Sequence, residues 1–260
     1  MSSPEPSPQP HEVVPAHAPL TGYYESDATR SRYVVDLFDR TAQHYNTIER
    51  LLLNGGLWYR WYCLRRAGLA RGMKVLDVAM GTAAVARGAA RLVGAEGLVV
   101  GVDPSRGMIA EARKVFAGPV ARGRAEALPF ASDHFDFVTM GIALRHVADL
   151  RATFAEYLRV LRPGGTLWIL EGHAPASPIG RRATRLLMGR LVPAMTRLVT
   201  GSHEAKVLMD FYWETVEQSA RPETIQRTMR EVGFTALEHR VVSPVCEYVA
   251  RKPARQAPGG

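Results

Sequence analysis

Cysteines, long apolar runs and metal-ligand clusters are scarce or missing in this 260-residue sequence. Its two cysteines, Cys63 and Cys246, are too few for a disulfide framework and indicate reduced thiols in a cytoplasmic protein. No apolar run reaches the roughly 20 residues of a membrane-spanning helix, and the first residues lack the apolar segment of a signal peptide. No group of Cys and His has the spacing of a metal site, so we expect no metal.

Acidic residues are fewer than basic ones, and the excess of positive charge is spread along the chain. The 33 Lys and Arg against 25 Asp and Glu give a formal net charge of +8. Local clusters occur at Arg181, Arg182 and Arg185 and in the tail Arg251–Arg255. No basic stripe is interleaved with aromatic residues, which argues against a nucleic-acid partner. The excess fits a solvated surface, and contact with an acidic membrane surface is the alternative.

The two ends of the chain differ in composition from its middle. Residues 1–20 are rich in Ser and Pro, and both they and residues 254–260 are predicted to be disordered tails. Between them, residues 21–253 carry the periodic apolar pattern of one folded domain. Hydrophobic residues make up 47% of the chain, which is enough for a sizeable core.

Strand-like and helix-like segments alternate through the middle of the chain, which predicts an α/β fold. Five segments are typical of buried parallel strands, and two antiparallel strands follow near the end. The predicted strands cover residues 74–78, 98–103, 120–123, 135–140, 166–171, 237–242 and 245–250. We therefore expect a Rossmann-like, seven-stranded, mostly parallel sheet with helices on both faces.

Two helical regions lie outside this alternation. Helices at 31–53 and 57–70 precede the first strand and form an N-terminal cover. The insertion at about 178–214, after strand five, is predicted to be a helical cap divided at Pro193. It falls at the carboxyl edge of the sheet, where open α/β folds bind ligands, which favours a lid over a substrate. Packing against a second subunit and resting on an acidic membrane surface are the alternatives.

The stretch from Lys74 to Leu92 has the pattern strand, tight turn, helix. Asp77 lies near the end of the strand, and the chain turns at Gly81 before a helix of small residues. This geometry directs backbone N–H groups at a ligand. Asp103 ends the next strand, where a carboxylate can accept both hydroxyls of a ribose. The alternative for both acids is simple capping of strand ends.

Two segments carry a resemblance to a known family. Val75-Leu76-Asp77-Val78-Ala79-Met80-Gly81-Thr82 and Val100-Gly101-Val102-Asp103 resemble the first two motifs of class I S-adenosylmethionine (SAM) methyltransferases. The nearest family is the one that methylates ubiquinone and menaquinone precursors on ring carbon, and the resemblance runs from about Asp36 to Pro253. The sequence departs from that family's glycine motif at Met80, Ala83 and Ala84.

The resemblance implies SAM as the cofactor. The residues assigned to it on this basis are Tyr45, Asp77, Ala79, Gly81, Thr82, Asp103, Met108, Ala125 and Glu126. Tyr45 belongs to a segment similar to the family's entry motif, which covers the pocket; the alternative is a core aromatic on an amphipathic helix. Ala125–Phe130 resembles the third motif, but Arg124 stands where the family has an Asp or Asn that contacts adenine.

A further resemblance suggests which residues act on the methyl acceptor. Gly141–Asp149 is similar to the family's Gly-Leu-Arg-Asn-Val-x-Asp motif, with His146 in place of the Asn. On this basis Arg145 would stabilise an oxyanion on the acceptor ring, and His146 would act as the base. The alternatives are structural: Arg145 pairs with an acid such as Asp149, and His146 caps a helix.

Three more residues complete the predicted catalytic and acceptor sites. Glu171, at the end of strand five, faces the same crevice by topology and is the third catalytic candidate. Tyr212 and Trp213, from the cap, would form an aromatic wall against the acceptor. The alternative for both aromatic residues is packing in the core.

These residues predict SAM-dependent transfer of a methyl group to carbon or oxygen of a small hydrophobic acceptor that is aromatic, quinone-like or prenyl-bearing. A nucleotide-dependent oxidoreductase is disfavoured because the Gly-x-Gly-x-x-Gly fingerprint is absent around Gly81. The alternative is a SAM-fold protein whose eroded motifs, including Met80 and Arg124, have altered or abolished transfer. Such a protein would be a binding module or a different catalyst.

Overall fold

One seven-stranded sheet organises the computed structural model, which describes residues 13–24, 26–52, 56–242 and 244–255. The strands are β1 Lys74–Val78, β2 Leu98–Asp103, β3 Val120–Arg122, β4 Phe135–Gly141, β5 Leu161–Gly172, β6 Thr235–Val242 and β7 Val245–Arg251. Their order is β3-β2-β1-β4-β5-β7-β6. The first five are parallel, and β7 is antiparallel to both β5 and β6. This topology confirms the predicted Rossmann-like α/β fold.

Helices cover both faces of the sheet. They are α1 Asp27–Leu52, α2 Gly56–Arg66, α3 Ala84–Val93, α4 Arg106–Arg113, α5 Leu150–Val160, α6 Pro178–Leu186, α7 Val192–Thr200, α8 His203–Glu217 and α9 Pro222–Val232. A 3₁₀ turn spans Leu144–His146, and a π turn spans Leu187–Leu191. Within the ranges given above, no helix has both the length and the apolar character needed to cross a bilayer.

The core consists of two apolar layers, one on each face of the sheet. Successive side chains of a strand point to opposite faces, so a strand that is covered on both sides is apolar throughout. Neighbouring residues of β1, β4 and β5 accordingly lie in different layers: Val75 and Leu76, Phe137 and Val138, Trp168 and Ile169. The buried central strands hold their carboxyl ends, and the loops after them, in fixed positions.

A third apolar cluster joins the N-terminal cover to the cap. Leu37 and Ile48 of α1 are almost fully buried against Leu208, Met209 and Phe211 of α8. The cover and the cap are therefore packed together over the carboxyl edge of the sheet, rather than separately against it.

The division of the cap at Pro193 is wrong. From Pro178 to Thr200 the chain runs through α6, the π turn and α7 without a break. Pro193 stands in the first turn of α7, directly after the π turn, where the altered hydrogen-bond pattern accommodates a residue without an N–H. The break comes instead at Gly201, whose φ of 67° ends α7 in the left-handed conformation.

The N-terminal tail predicted for residues 1–20 is also corrected in part. Ala16 and His17 are buried, and the carbonyl of Ala16 accepts a 2.7 Å hydrogen bond from the N–H of Ala220. A short extended segment is held in this way when its backbone satisfies the polar groups of its neighbours. Residues 1–12 lie outside the described residues.

The C-terminal tail is corrected at its first two residues. Residues 254 and 255 are described, and the Arg255 guanidinium forms a 3.0 Å ion pair with Asp133. The rest of the predicted tail, residues 256–260, lies outside the described residues.

Candidate functional site

The turn between β1 and α3 has an unusual backbone. Ala79, Gly81 and Ala83 have positive φ values of 52°, 54° and 69°, a region that costs energy for residues other than glycine. The N–H of Gly81 donates to Asp103 Oδ2 at 2.9 Å, which ties the turn to the end of β2. A Cβ at Gly81 would meet nothing within 4 Å, so the space beside this turn is open to a ligand.

Met80, which stands in place of a family glycine, does not obstruct this space. Its side chain is 5% exposed and packs into the core against Gly101 of β2. A Cβ at Gly101 would lie 2.0 Å from Met80 Sδ, so the glycine makes room for the methionine. Ala83 is likewise fully buried in the same layer. The side chains of Met80 and Ala83, which differ from the family's glycines, are therefore accommodated in the core.

Asp103 is the acidic group that faces the open space. Its Oδ1 accepts from the N–H of Ser105 at 2.9 Å, and its Oδ2 accepts from Gly81. Burial raises the pKa of Asp103 to about 6, although these two N–H groups oppose the shift. Each carboxylate oxygen has a second lone pair, so both can still accept hydrogen bonds from a ligand.

A cavity opens beside this turn, and we call it the turn cavity. Its lining comes from α1, the β1–α3 turn and the loops after β2, β3 and β4. The lining residues include Val34, Phe38, Tyr45, Ala79, Gly81, Asp103, Met108, Ala125, Glu126, Ile142 and His146. Seven of the nine residues assigned to the cofactor from the sequence are thus brought together here.

The other two assigned residues, Asp77 and Thr82, are not among the lining residues. Asp77 is 1% exposed inside the sheet, where the Thr139 hydroxyl of β4 donates to its Oδ1 at 2.7 Å. Burial raises the pKa of Asp77 to about 7 against the opposing effect of that hydrogen bond. In this position Asp77 joins β1 to β4 beneath the turn.

Arg124 lies at the rim of the turn cavity. Its guanidinium donates to Ser31 Oγ at 2.9 Å and to Glu126 Oε2 at 3.4 Å. The other oxygen of Glu126 accepts a 2.7 Å hydrogen bond from the N–H of Ala148. Arg124 therefore fastens α1 to the loop after β3, and it offers no acceptor to a ligand.

A second cavity lies under the cap, and we call it the cap cavity. Tyr45 and Ile142 line both cavities, so the two spaces adjoin. The remaining lining of the cap cavity includes Ile48, Glu49, Arg60, His173, Thr184, Met188, Met209, Tyr212, Trp213, Val216 and Val245. Its largely apolar character suits an apolar molecule.

Trp213 is a cap-cavity residue with an unsatisfied polar group. The side chain is 4% exposed, and its buried indole N–H has no hydrogen-bond partner among the described residues. Buried donors are rarely left unsatisfied, so such a group in a cavity wall is a candidate ligand contact. The indole packs against Gly189 of the π turn, where a Cβ would lie 2.9 Å from Trp213 Cδ1.

Arg145 pairs with Glu171, and not with Asp149 as the structural alternative proposed. Its Nη1 lies 2.5 Å from Glu171 Oε1, its N–H donates to Oε2 of the same carboxylate, and both side chains are under 5% exposed. The guanidinium also donates to Thr215 Oγ1 at 3.1 Å and lies 4.4 Å from the centre of the Tyr212 ring. Tyr212 thus stands between this ion pair and the cap cavity.

His146 faces the turn cavity and does not cap a helix through its ring. The imidazole lies 5.6 Å from the Phe211 ring in a stacked arrangement and 5.3 Å from Phe38. Both ring nitrogens are buried without a hydrogen-bond partner in the described part of the chain. Burial and the charge of Arg145 hold the pKa of His146 well below its usual value, so the imidazole is neutral at pH 7.

Asp39 supports the wall of the turn cavity without lining it, and the sequence analysis did not assign it. Its Oδ1 accepts from Ser105 Oγ at 2.5 Å and from the N–H of Gly107 at 2.8 Å, at the start of α4. A carboxylate is favoured at a helix N-terminus, and here it anchors α1 over the turn cavity. The sequence feature that could have identified Asp39 is the segment similar to the family's entry motif, which begins at Phe38-Asp39 and includes Tyr45.

Comparisons with known proteins agree on one family. The model of the ubiE/COQ5 methyltransferase family matches residues 26–246. The ubiquinone/menaquinone biosynthesis C-methyltransferase UbiE of Shewanella halifaxensis is 31% identical over 84% of this chain and 89% of that protein. The demethylmenaquinone methyltransferase of Symbiobacterium thermophilum is also 31% identical, over 84% of this chain and 90% of its own length.

Solved structures share the fold at lower identity. Phosphoethanolamine N-methyltransferase 2 of Haemonchus contortus, in complex with S-adenosyl-L-methionine, superposes with a TM-score of 0.61. It is 19% identical, and the match covers 84% of this chain and 60% of that one. This likeness supports the fold and carries no information about the acceptor.

Proposed function

The chain belongs to the ubiE/COQ5 methyltransferase family and is a SAM-dependent methyltransferase, and we propose that it methylates a ring carbon of a quinol-like acceptor with an apolar tail. The relatives described above are named for methylation in ubiquinone and menaquinone biosynthesis. The proposal is supported mainly by one observation: the turn cavity and the cap cavity adjoin at Tyr45 and Ile142, which line both. An acceptor under the cap would face a methyl donor beside the turn.

The residues of the turn cavity fit SAM. In this proposal the backbone at Ala79 and Gly81 receives its amino-acid part, and Asp103 accepts hydrogen bonds from the ribose hydroxyls. Met108 lies against the adenine, and the backbone of Ala125 replaces the side-chain contact that Arg124 cannot make. Bound SAM supplies a methyl group on a positively charged sulfur, which is already a good leaving group.

The cap cavity is proposed to orient the acceptor. Met188, Met209 and Val216 offer apolar surface to a ring and its tail, and the unsatisfied indole N–H of Trp213 donates to one of the ring oxygens. A buried donor that finds its partner only in the ligand favours acceptors with an oxygen at that position. Holding the ring in line with the methyl group, in a space closed by the cap, supplies most of the rate enhancement.

Carbon methylation forms a C–C bond, breaks the C–S bond and releases one proton overall. The ring becomes more nucleophilic when a quinol hydroxyl is deprotonated. We assign the proton to His146, because its imidazole lines the turn cavity and its ring nitrogens have no partner in the described part of the chain. Arg145, held by Glu171 behind the Tyr212 ring, supplies positive potential to the oxyanion that remains.

The test is turnover on a defined acceptor. The purified protein, SAM and a chemically reduced quinone with one unsubstituted ring carbon and a short prenyl tail should give a product heavier by one CH₂, with the methyl group on ring carbon by fragmentation. The same ring with both hydroxyls blocked as ethers is the control and should not react. Methylation on oxygen would overturn the carbon assignment, and SAM binding without turnover on any quinol would favour a protein that has lost transfer.

A further inference from the structure

The cap exposes its apolar side chains to solvent. From residue 178 to residue 200, α6, the π turn and α7 form one continuous helical rod, which we call the cap rod. Seven large apolar side chains on it are at least half exposed, and we call them the cap face: Ile179, Leu186, Leu187, Leu191, Met195, Leu198 and Val199. An exposed apolar cluster of this size marks an interaction surface more often than a free surface.

The orientation of the cap rod is the reverse of that of an ordinary surface helix. The positions of the cap rod that are not exposed are 180, 184, 188, 189, 192, 193, 196 and 200, and three of these eight residues are threonines. Leucines, in contrast, occupy the outward positions 186, 187, 191 and 198. A helix that only covered a cavity would bury its leucines and expose its threonines. The outward leucines therefore need a partner other than the domain beneath.

The charge around the cap face is of one sign. The segment from Gly172 to His203 contains five arginines and no Asp, Glu or Lys. Arg185 forms an ion pair with Glu217, whereas the exposed residues Arg182, Arg190 and Arg197 make no ion pair with any described residue. Arginines beside an exposed apolar face are typical of helices that lie in the interface of an anionic bilayer.

Two other elements around the cap cavity also carry exposed apolar side chains. On α2, Trp58 is 70% exposed and precedes the cavity-lining Arg60 by two residues. On the β6–β7 hairpin, Val241 and Val242 are nearly half exposed, close in sequence to the cavity-lining Val245. Exposed apolar side chains thus occur on three parts of the chain, the cap rod, α2 and the β6–β7 hairpin, each of which also supplies lining residues to the cap cavity.

We propose that the cap face docks the protein on an anionic lipid bilayer, with the cap rod in the plane of the interface. Thr184 and Met188, on the same rod, line the cap cavity, so docking would bring this cavity next to the lipid. An acceptor with an apolar tail would then enter without passing through water. This last step rests on the proposed function, whereas the docking itself does not.

A second copy of the chain fits the cap face less well than a bilayer. A two-fold dimer brings the same patch of both copies together. The arginines Arg182, Arg190 and Arg197 of one copy would then lie near the same group of arginines on the other, and no acidic residue within the cap rod would compensate the repulsion. Anionic lipid headgroups offer the opposite charge together with apolar surface.

The test is flotation of the full chain with vesicles of phosphatidylcholine alone or mixed with phosphatidylglycerol. We expect binding to the anionic vesicles at low salt, weak binding to the neutral ones, and loss at high salt because screening shortens the reach of exposed charges. The variant R182Q/R190Q/R197Q should weaken anionic binding roughly tenfold or more. The matched control R87Q/R113Q/R230Q removes the same charge from α3, α4 and α9 and should bind nearly as the wild type does.

A second variant tests the apolar component. L187S/L198S should lose vesicle binding while SAM affinity and thermal unfolding, which check the fold, stay close to the wild type. No flotation of the wild type at low salt, or equal loss in the control variant, would overturn the proposal. A concentration-dependent dimer that L187S/L198S abolishes would assign the face to a second copy. None of these measurements requires methyl transfer. If the proposed acceptor is not methylated, the result on membrane docking remains valid.

Discussion

Two aspartates at the ends of neighbouring strands have different environments, although both belong to the resembling motifs. Asp103 faces the turn cavity and accepts backbone N–H bonds from both sides of it. Asp77 lies inside the sheet and accepts from Thr139. The sequence pattern is the same at both strand ends. Only the direction of each side chain separates a group that can touch a ligand from one that supports the strand.

Asp103→Ala should weaken SAM binding by about 1–3 kcal/mol, the cost of losing hydrogen bonds to a charged acceptor. Isothermal titration calorimetry measures the change directly. Glu111→Ala, on the neighbouring helix α4 and paired only with Lys114, serves as the control and should bind SAM normally. Unchanged SAM affinity in a folded Asp103→Ala protein would remove this residue from the site.

Asp77→Asn should leave SAM affinity nearly intact and change the pH dependence of stability. Because the pKa of Asp77 is raised to about 7 in the folded protein and is about 3.9 when unfolded, the unfolded state ionises first. Stability from the protonated carboxyl is therefore complete below pH 4 and falls as the pH rises towards 7. Asparagine is always neutral, so the Tm of the variant relative to the wild type should rise between pH 5 and 7.5. A Tm difference that stays constant over this pH range would contradict the raised pKa of Asp77.

His146→Phe should lower kcat roughly a hundredfold or more, the usual contribution of a general base. Phenylalanine keeps a flat ring against Phe211 and Phe38, so Tm and SAM affinity should change little. This variant removes the ring nitrogens but keeps an aromatic ring, whereas an alanine substitution would remove both. A kcat equal to that of the wild type would assign His146 to packing.

At the scale of elements, the parts of the structure with local determinants were predictable. The buried strands β1 and β2 and the helix cap at Ser105, whose hydroxyl accepts from the N–H of Met108, follow from short patterns of apolar residues and capping groups. The cap rod was not predictable in detail, because apolar residues recur on too many of its positions to show which face is buried. The partner of Arg145 was also missed, since Glu171 is distant in sequence and Asp149 is near.

Trp213→Phe tests the cap as part of the acceptor site. Phenylalanine keeps an aromatic wall but removes the unsatisfied N–H, so the KM for the acceptor should rise about tenfold, the value of one hydrogen bond. SAM affinity should stay unchanged, because Trp213 is not among the residues lining the turn cavity. Tyr62→Phe, on the exposed side of α2, is the control. A parallel loss of SAM affinity and Tm would mean that Trp213 only packs the core.

At the scale of the whole molecule, the site depends on contacts between distant parts of the chain. Asp39 fastens α1 to α4, and α1 packs on α8 of the cap. The Arg30 guanidinium of α1 donates to the carbonyls of Arg145 and Val147 on either side of His146. The cover, the cap and the 3₁₀ turn Leu144–His146 are thus held as one unit, so a change in one of them should alter the others.

The N-terminal segment 13–20 belongs to this unit, and deletion tests its contribution. The carbonyl of Val14 accepts from the N–H of Leu150 at 2.8 Å, and the N–H of Val14 donates to Asp149, close in sequence to the 3₁₀ turn that ends at His146. Removing residues 1–19 should therefore lower the free energy of unfolding by about 1–3 kcal/mol, as lost hydrogen bonds and burial require.

Removing residues 1–12 alone breaks none of these contacts and should leave Tm and kcat unchanged, which makes it the control for the longer deletion. The two proteins differ only in the segment that includes the buried Ala16 and His17. Loss of kcat together with stability in the longer deletion would link the segment to the turn at His146. Equal Tm values for the two deletions would show that residues 13–19 contribute nothing to the stability of the fold.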